Sequence, residues 1–224
     1  MLLYESRNTA KEVVYVIYYL NLFGTAVFAI GGAMAASRKG MDLFGVVVAA
    51  VLTGIGGGTL RDLCLGVQPV NWVSDSTGLE IAVVFGLLTF TYLRVRQSAV
   101  VPSKLLNVAD AIGLAVFTVL GCKTALANDA GLFITVIMGM LTGSGGGIIR
   151  DAFSAEIPLF FRKEIYATAC LAGGAAYLLL LALPVPEDGA MLGGAAVTLA
   201  IRLAAIYWGL SLPALAPTPL DQEI

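Results

Sequence analysis

The sequence predicts an all-α integral membrane protein of seven spanning helices, six forming an inverted three-plus-three repeat and the seventh following them. Three observations carry that prediction. Across 224 residues the chain is 58% apolar and only 12% charged, whereas a soluble domain is about half apolar and about a quarter charged. Apolar runs near the roughly twenty residues needed to cross the hydrocarbon core recur along almost its whole length. A ten-residue motif rich in glycine also occurs twice.

Runs bounded by charge, proline or polar clusters place the spans at about 13–36, 43–66, 78–93, 106–127, 131–153, 164–183 and 190–211. The first run resembles a signal peptide, with Ala33-Met34-Ala35 as a cleavage-like site, but it is too long for one and belongs to the repeat. The repeat is read from Thr53-Gly54-Ile55-Gly56-Gly57-Gly58-Thr59-Leu60-Arg61-Asp62, which returns as Thr142-Gly143-Ser144-Gly145-Gly146-Gly147-Ile148-Ile149-Arg150-Asp151. At the same offset Gly24 meets Gly113, Gly32 meets Gly121, Leu43-Phe44 meets Leu132-Phe133, and Pro69 meets Pro158. Residues 13–93 and 106–183 are therefore two copies of a three-helix unit, and 190–211 is the seventh helix. Because three is odd, the second copy enters the membrane from the opposite side.

Basic residues set the orientation. Seven lie toward one face (Arg38, Lys39, Arg94, Arg96, Lys104, Arg162 and Lys163) and two, Arg7 and Lys11, toward the other. The first face is expected to be cytoplasmic, with the N-terminus external and the C-terminus, ending Asp221-Gln222-Glu223-Ile224, internal. A net charge of −2 argues against a nucleic-acid partner. The absence of histidine excludes histidine-based metal or acid–base chemistry, and neither a cofactor nor an enzymatic activity is expected. Cys64, Cys122 and Cys170 stand singly and read as packing residues.

Three glycines in the middle of a spanning helix cost about 1 kcal/mol each relative to alanine, so two matched runs require a reason. One reading is close helix packing, which small residues permit. The other is a helix broken at mid-membrane, its freed carbonyls available to a cation. The Arg-Asp pair after each run favours a pathway, because a charge at the bilayer centre costs about 2.5–3.5 kcal/mol and generally faces a partner or a cavity; the alternative is a pair of internal ion bridges that only lock helices together. The candidate pathway residues are Thr53, Gly54, Gly56, Gly57, Gly58, Arg61 and Asp62 with Thr142, Gly143, Ser144, Gly145, Gly146, Gly147, Arg150 and Asp151. Asp110 stands at the position of Asn21. Lys123, at the position of Met34, breaks the repeat symmetry and reads either as a pathway charge or as a side chain reaching the interface. Arg202 has no counterpart in the repeat and is expected to bridge to an acidic group or to free carbonyls of the main bundle.

The doubled motif and the seven-helix plan resemble the prokaryotic members of the trimeric intracellular cation (TRIC) channel family, over about residues 13–211. That resemblance implies a homotrimer in membrane lipid, with one hydrophilic pore per subunit lined by the glycine-broken second and fifth spans. It implies conduction of potassium or sodium ions, potassium being the physiological one. It also implies a gating role for Lys123 and a multi-pass place in the cell's inner (plasma) membrane. Bacterial relatives have also been described as carriers of small amino acids such as glycine, and a secondary transporter is the alternative reading.

The orientation is open to direct test. Cysteines placed at Ser98 and Thr218 are expected to resist an impermeant thiol reagent in intact cells while one at Ser6 reacts; the opposite pattern inverts the topology.

Overall fold

A computed structural model describes residues 2–96, 102–162 and 165–211. Lys163, the labelling positions Ser98 and Thr218, and the C-terminal Asp221–Ile224 lie outside the described residues. In chain order the helices are α1 (Leu2–Arg38), α2 (Leu43–Leu65), α3 (Asn71–Ser74), α4 (Thr77–Val95), α5 (Ser103–Ala127), α6 (Leu132–Phe153), α7 (Leu159–Arg162), α8 (Ala167–Leu181) and α9 (Glu187–Trp208). Local signals mark some of the ends. The Asp42 carboxylate accepts the Gly45 N–H at 2.8 Å at the start of α2, and Gly66, with φ at 71°, closes it in the left-handed conformation that suits glycine.

Six of these helices, counting α1 from Tyr15, are long and apolar enough to cross a membrane. The seventh expected span is shorter than anticipated: α8 has 15 residues, about 22 Å of helix against a hydrocarbon core of about 30 Å. Tyr166 forms its N-cap, so the residues expected to begin that span precede the helix. The short α3 and α7, each following the repeat's matched proline, were not anticipated.

The two copies make equivalent packings. α1 lies along α2 and α5 along α6, while α4 and α8 each pack on both helices of their own copy. α9 packs on α8 and α5, and α2 crosses α6 at the centre of the bundle. Thr53 and Thr142, near the middle of their helices, mark that crossing.

The expectation of broken helices is overturned. Both α2 and α6 run as continuous helix through their glycine runs, and the glycines instead permit a backbone-to-backbone approach. A Cβ on Gly57 would collide with the carbonyl oxygen of Thr142, and one on Gly146 with the carbonyl oxygen of Thr53. The contact is reciprocal, as a two-fold relation between the copies requires. The next pair repeats it: Gly56 faces Ile149 and Gly145 faces Leu60. Within each copy, a Cβ on Gly32 would strike the Thr53 hydroxyl and one on Gly121 the Thr142 hydroxyl. Close packing therefore accounts for the helix-propensity penalty at Gly56, Gly57, Gly145 and Gly146, and both helices stay wound through the runs.

The glycines should accordingly differ in tolerance. Gly57→Ala or Gly146→Ala forces the crossing apart and is expected to cost about 1–3 kcal/mol, the usual penalty of overpacking. Gly58→Ala, whose Cβ would meet nothing nearer than Arg61 Nη2 at 3.9 Å, should be accommodated. Thermal melts of the purified variants check this, and equal melting of Gly57→Ala and Gly58→Ala contradicts it.

Candidate functional site

One turn beyond the glycines on α2, the Arg61 guanidinium bonds Asp62 Oδ1 through Nε at 2.8 Å and Nη2 at 2.6 Å. The other oxygen of Asp62 accepts the N–H of Asn71, the first residue of α3, at 2.9 Å. The second copy repeats the arrangement: Arg150 Nε donates to Asp151 Oδ1 at 2.8 Å, and Asp151 Oδ2 accepts the N–H of Leu159, the first residue of α7, at 2.9 Å. Each aspartate thus neutralises its arginine and fixes the chain after the matched proline. An unpaired charge would be far costlier in this setting.

α2 and α6 run in opposite directions through the crossing, so the two arginines lie on opposite sides of it. They stand on the order of 15–20 Å apart along the bundle, at 1.5 Å of rise per residue. Their surroundings differ. Arg150 is 1% exposed and carries a second carboxylate partner, Asp110 Oδ1 at 2.8 Å. Arg61 is 9% exposed and borders open space. That space is a small cavity of about 30 Å³ lined by Asn21, Thr25, Gly58, Thr59, Arg61 and Asp62 among others. It adjoins a larger one of about 260 Å³ that shares Asn21, Arg61 and Asn71 and reaches Tyr18, Asp75 and Thr124. The Asp75 carboxylate accepts the Thr77 hydroxyl at 2.6 Å and the Thr77 N–H at 3.0 Å. Those bonds, the hydroxyl's first, hold it below the usual carboxylate range, so the wider cavity carries a negative charge at its rim.

The hydroxyls at the crossing are committed as donors and free as acceptors. Thr53 donates to the Ala49 carbonyl, Thr142 to that of Met138 and Ser144 to that of Met140, each at 2.6 Å. The remaining lone pairs can face a cation or water but cannot offer a proton to an anion.

The structure brings the expected residues together with partners that sequence reasoning missed. Lys123, expected either in a pathway or at the interface, is ion-paired with Glu187 Oε1 at the start of α9, and the Tyr177 hydroxyl approaches the same oxygen at 3.4 Å. An acidic first turn in α9 was a visible signal, but the pairing bridges 64 positions of sequence. Arg202 behaves as expected of a bridge to free carbonyls: Nη1 donates to the Ile165 carbonyl at 3.3 Å, and the guanidinium also stacks on Tyr166 at 4.7 Å from the ring centroid.

Comparison with known proteins fits this architecture. A family model described as Glycine transporter matches twice, over residues 18–94 and 107–182. The inner membrane protein YadS of Escherichia coli K12, a UPF0126 protein, is 49% identical over 201 residues, which is 89% of this chain and 96% of that protein. A UPF0126 membrane protein of Vibrio cholerae is 47% identical over 202 residues, 90% of this chain and 84% of its own. Among solved structures, a TRIC trimeric intracellular cation channel orthologue from Rhodobacter sphaeroides superposes with a TM-score of 0.81 at 40% identity, covering 87% of this chain and 99% of that one. A prokaryotic TRIC channel crystallised in 0.5 M KCl does so with a TM-score of 0.80 at 28% identity, covering 89% and 100%. A multi-pass membrane protein with a glycine-packed crossing between two copies of one unit, the chain belongs to the UPF0126 family of bacterial TRIC-like proteins that the Glycine transporter model describes.

Proposed function

We propose that this protein is a monovalent cation channel, with potassium as its physiological ion, that assembles as a homotrimer in the inner membrane. Each subunit carries its own pathway along α2 and α6, and residues 13–93, 106–183 and 190–211 act as its three structural parts. The N-terminus is external and the C-terminus cytoplasmic. The observation that supports this best is the mid-helix crossing, where acceptor hydroxyls sit between two buried Arg-Asp pairs and a polar cavity leads in from the Arg61 side. The similarity to TRIC cation channels agrees with it. Oxygen acceptors of this kind suit a weakly dehydrated potassium ion, and the absence of stacked carbonyl rings among the described residues predicts modest selectivity. The family description favours a second reading, a carrier of glycine or a similar small solute, in which the two copies rock about their crossing.

Reconstitution into planar bilayers under asymmetric KCl separates the two. Discrete current steps reversing toward the potassium equilibrium potential are expected; saturable, electroneutral glycine uptake without current establishes the carrier instead.

Lys123 is the gating candidate, and its partner Glu187 makes the pair a tie between α5 and α9. A charge moving through the full membrane field contributes about 2.3 kcal/mol per 100 mV. Lys123→Ala is expected to raise open probability or to weaken voltage dependence, and Glu187→Gln to act in the same direction. An unaltered current from both returns the pair to a structural role.

The arginines should instead affect assembly. Arg150→Met strands Asp110 and Asp151 and is expected to cost about 3–5 kcal/mol, with loss of trimer on size exclusion. Arg61→Met, beside the cavity, should cost less.

A further inference from the structure

The two halves of the repeat are not equally open, and the difference falls on two replaced side chains. At Gly58, in the first copy, a Cβ would meet nothing closer than Arg61 Nη2 at 3.9 Å, and the residue lines the cavity. At Gly147, its counterpart, a Cβ would meet the Tyr166 hydroxyl at 2.8 Å, Asp110 Oδ1 at 3.4 Å and Arg150 Nη2 at 3.7 Å. At the offset of the repeat Tyr166 replaces Thr77 and Asp110 replaces Asn21. The larger ring therefore fills in the second copy the space that stands open in the first. A crevice of about 30 Å³ reaches Asp151 from the Arg38 and Lys39 side, but neither Gly147 nor Tyr166 lines it.

We infer that Tyr166 is the plug of the Arg150 half of the pathway and that Arg202 holds it shut. This inference deepens the channel reading and rests on it. Two observations point to that role rather than to ordinary core packing. The Tyr166 hydroxyl and Asp110 Oδ2 are both fully buried, and neither has a hydrogen-bond partner among the described residues. Buried polar atoms of this kind normally find partners, so a purely structural tyrosine here would serve better as phenylalanine. Beside Gly147 the two groups suit a place that water and ions enter when the ring withdraws. The clamp comes from α9, the one spanning helix without a repeat counterpart: Arg202 lies over the ring and donates to the carbonyl of Ile165, next to it. Withdrawal of the ring exposes Gly147, Asp110 and Arg150 together, matching the residues already open around Gly58.

Single-channel recording on wild type, Tyr166→Ala, Tyr166→Phe and Arg202→Gln, each first shown to be trimeric, tests the assignment. Tyr166→Ala is expected to raise open probability by about tenfold or more, a shift of about 1.4 kcal/mol between closed and open states. Tyr166→Phe, which keeps the ring, should stay near wild type, and Arg202→Gln should open the channel without altering unitary conductance. If Tyr166→Ala fails to assemble, Arg202→Gln decides alone. A companion measurement uses silver ion, a thiol-reactive monovalent cation, on Gly58→Cys in a Cys64→Ser background. Block from the Arg61 side only is expected while Tyr166 is intact, and block from both sides once Arg202 is changed.

Wild-type open probability in both Tyr166→Ala and Arg202→Gln overturns the plug while leaving the channel standing, as does silver block of the Tyr166-intact protein from both sides. Absence of current from every variant removes the channel reading. In that case one-sided silver labelling that becomes two-sided in Arg202→Gln still upholds the plug, and unchanged labelling overturns it.

Discussion

The constraint that organises this bundle is the crossing of α2 and α6, where Gly57 rests on the Thr142 carbonyl and Gly146 on that of Thr53. In a bilayer, apolar side chains gain little by leaving lipid for protein, so helix association depends on contact area and on how closely backbones approach. Hydrogen in place of a methyl at these two positions allows that approach. Further contacts between the two helices, Gly56 on Ile149 and Gly145 on Leu60, belong to the same reciprocal set. The crossing also fixes where the charges fall. Arg61 and Arg150 follow their glycines by one turn on antiparallel helices, so each is carried away from the crossing toward a different face.

Around that symmetric centre the two copies have diverged in what surrounds the arginines. The first copy keeps Asn21 and Thr77 and leaves a polar cavity at Arg61, rimmed by Asp75. The second has Asp110 and Tyr166, and its arginine is held by two carboxylates, with the Tyr166 hydroxyl and Arg150 Nη2 both close to Gly147. α9, outside the repeat, contacts the second copy through α5 and α8. It engages that copy at two levels, through Glu187 on Lys123 and through Arg202 on Tyr166. The additional helix therefore does more than cover apolar surface: Glu187 ties it to Lys123 at the end of α5 nearer the open cavity, and Arg202 ties it to Tyr166 beside the buried Arg150.

Much of the fold was legible because membrane burial writes itself into composition and because duplication leaves matched residues at a constant offset. The placement of Arg61 and Arg150 on opposite sides of the centre followed from that duplication alone, as did the carboxylate beside each. The state of the glycine runs did not. Three glycines lower helix propensity whether they mark a break or a contact, and propensity is a local quantity, whereas the crossing that keeps α2 and α6 helical is made by the other copy. The 15-residue α8 was overestimated for a related reason: an apolar run does not reveal that the helix starts only after Tyr166, whose ring packs against Arg202 of a distant helix.

By itself the sequence determined a multi-pass helical protein built from two copies of one unit, with paired charges on either side of a glycine-rich centre. Composition and repetition are properties of the chain read along its length. The tertiary structure alone decided that the glycines join rather than break the helices, that Lys123 meets Glu187, that Arg150 needs Asp110, and that Tyr166 fills the space its counterpart leaves open. Each of these is a contact between residues far apart in the chain, and which distant groups meet depends on how closely the backbones pack.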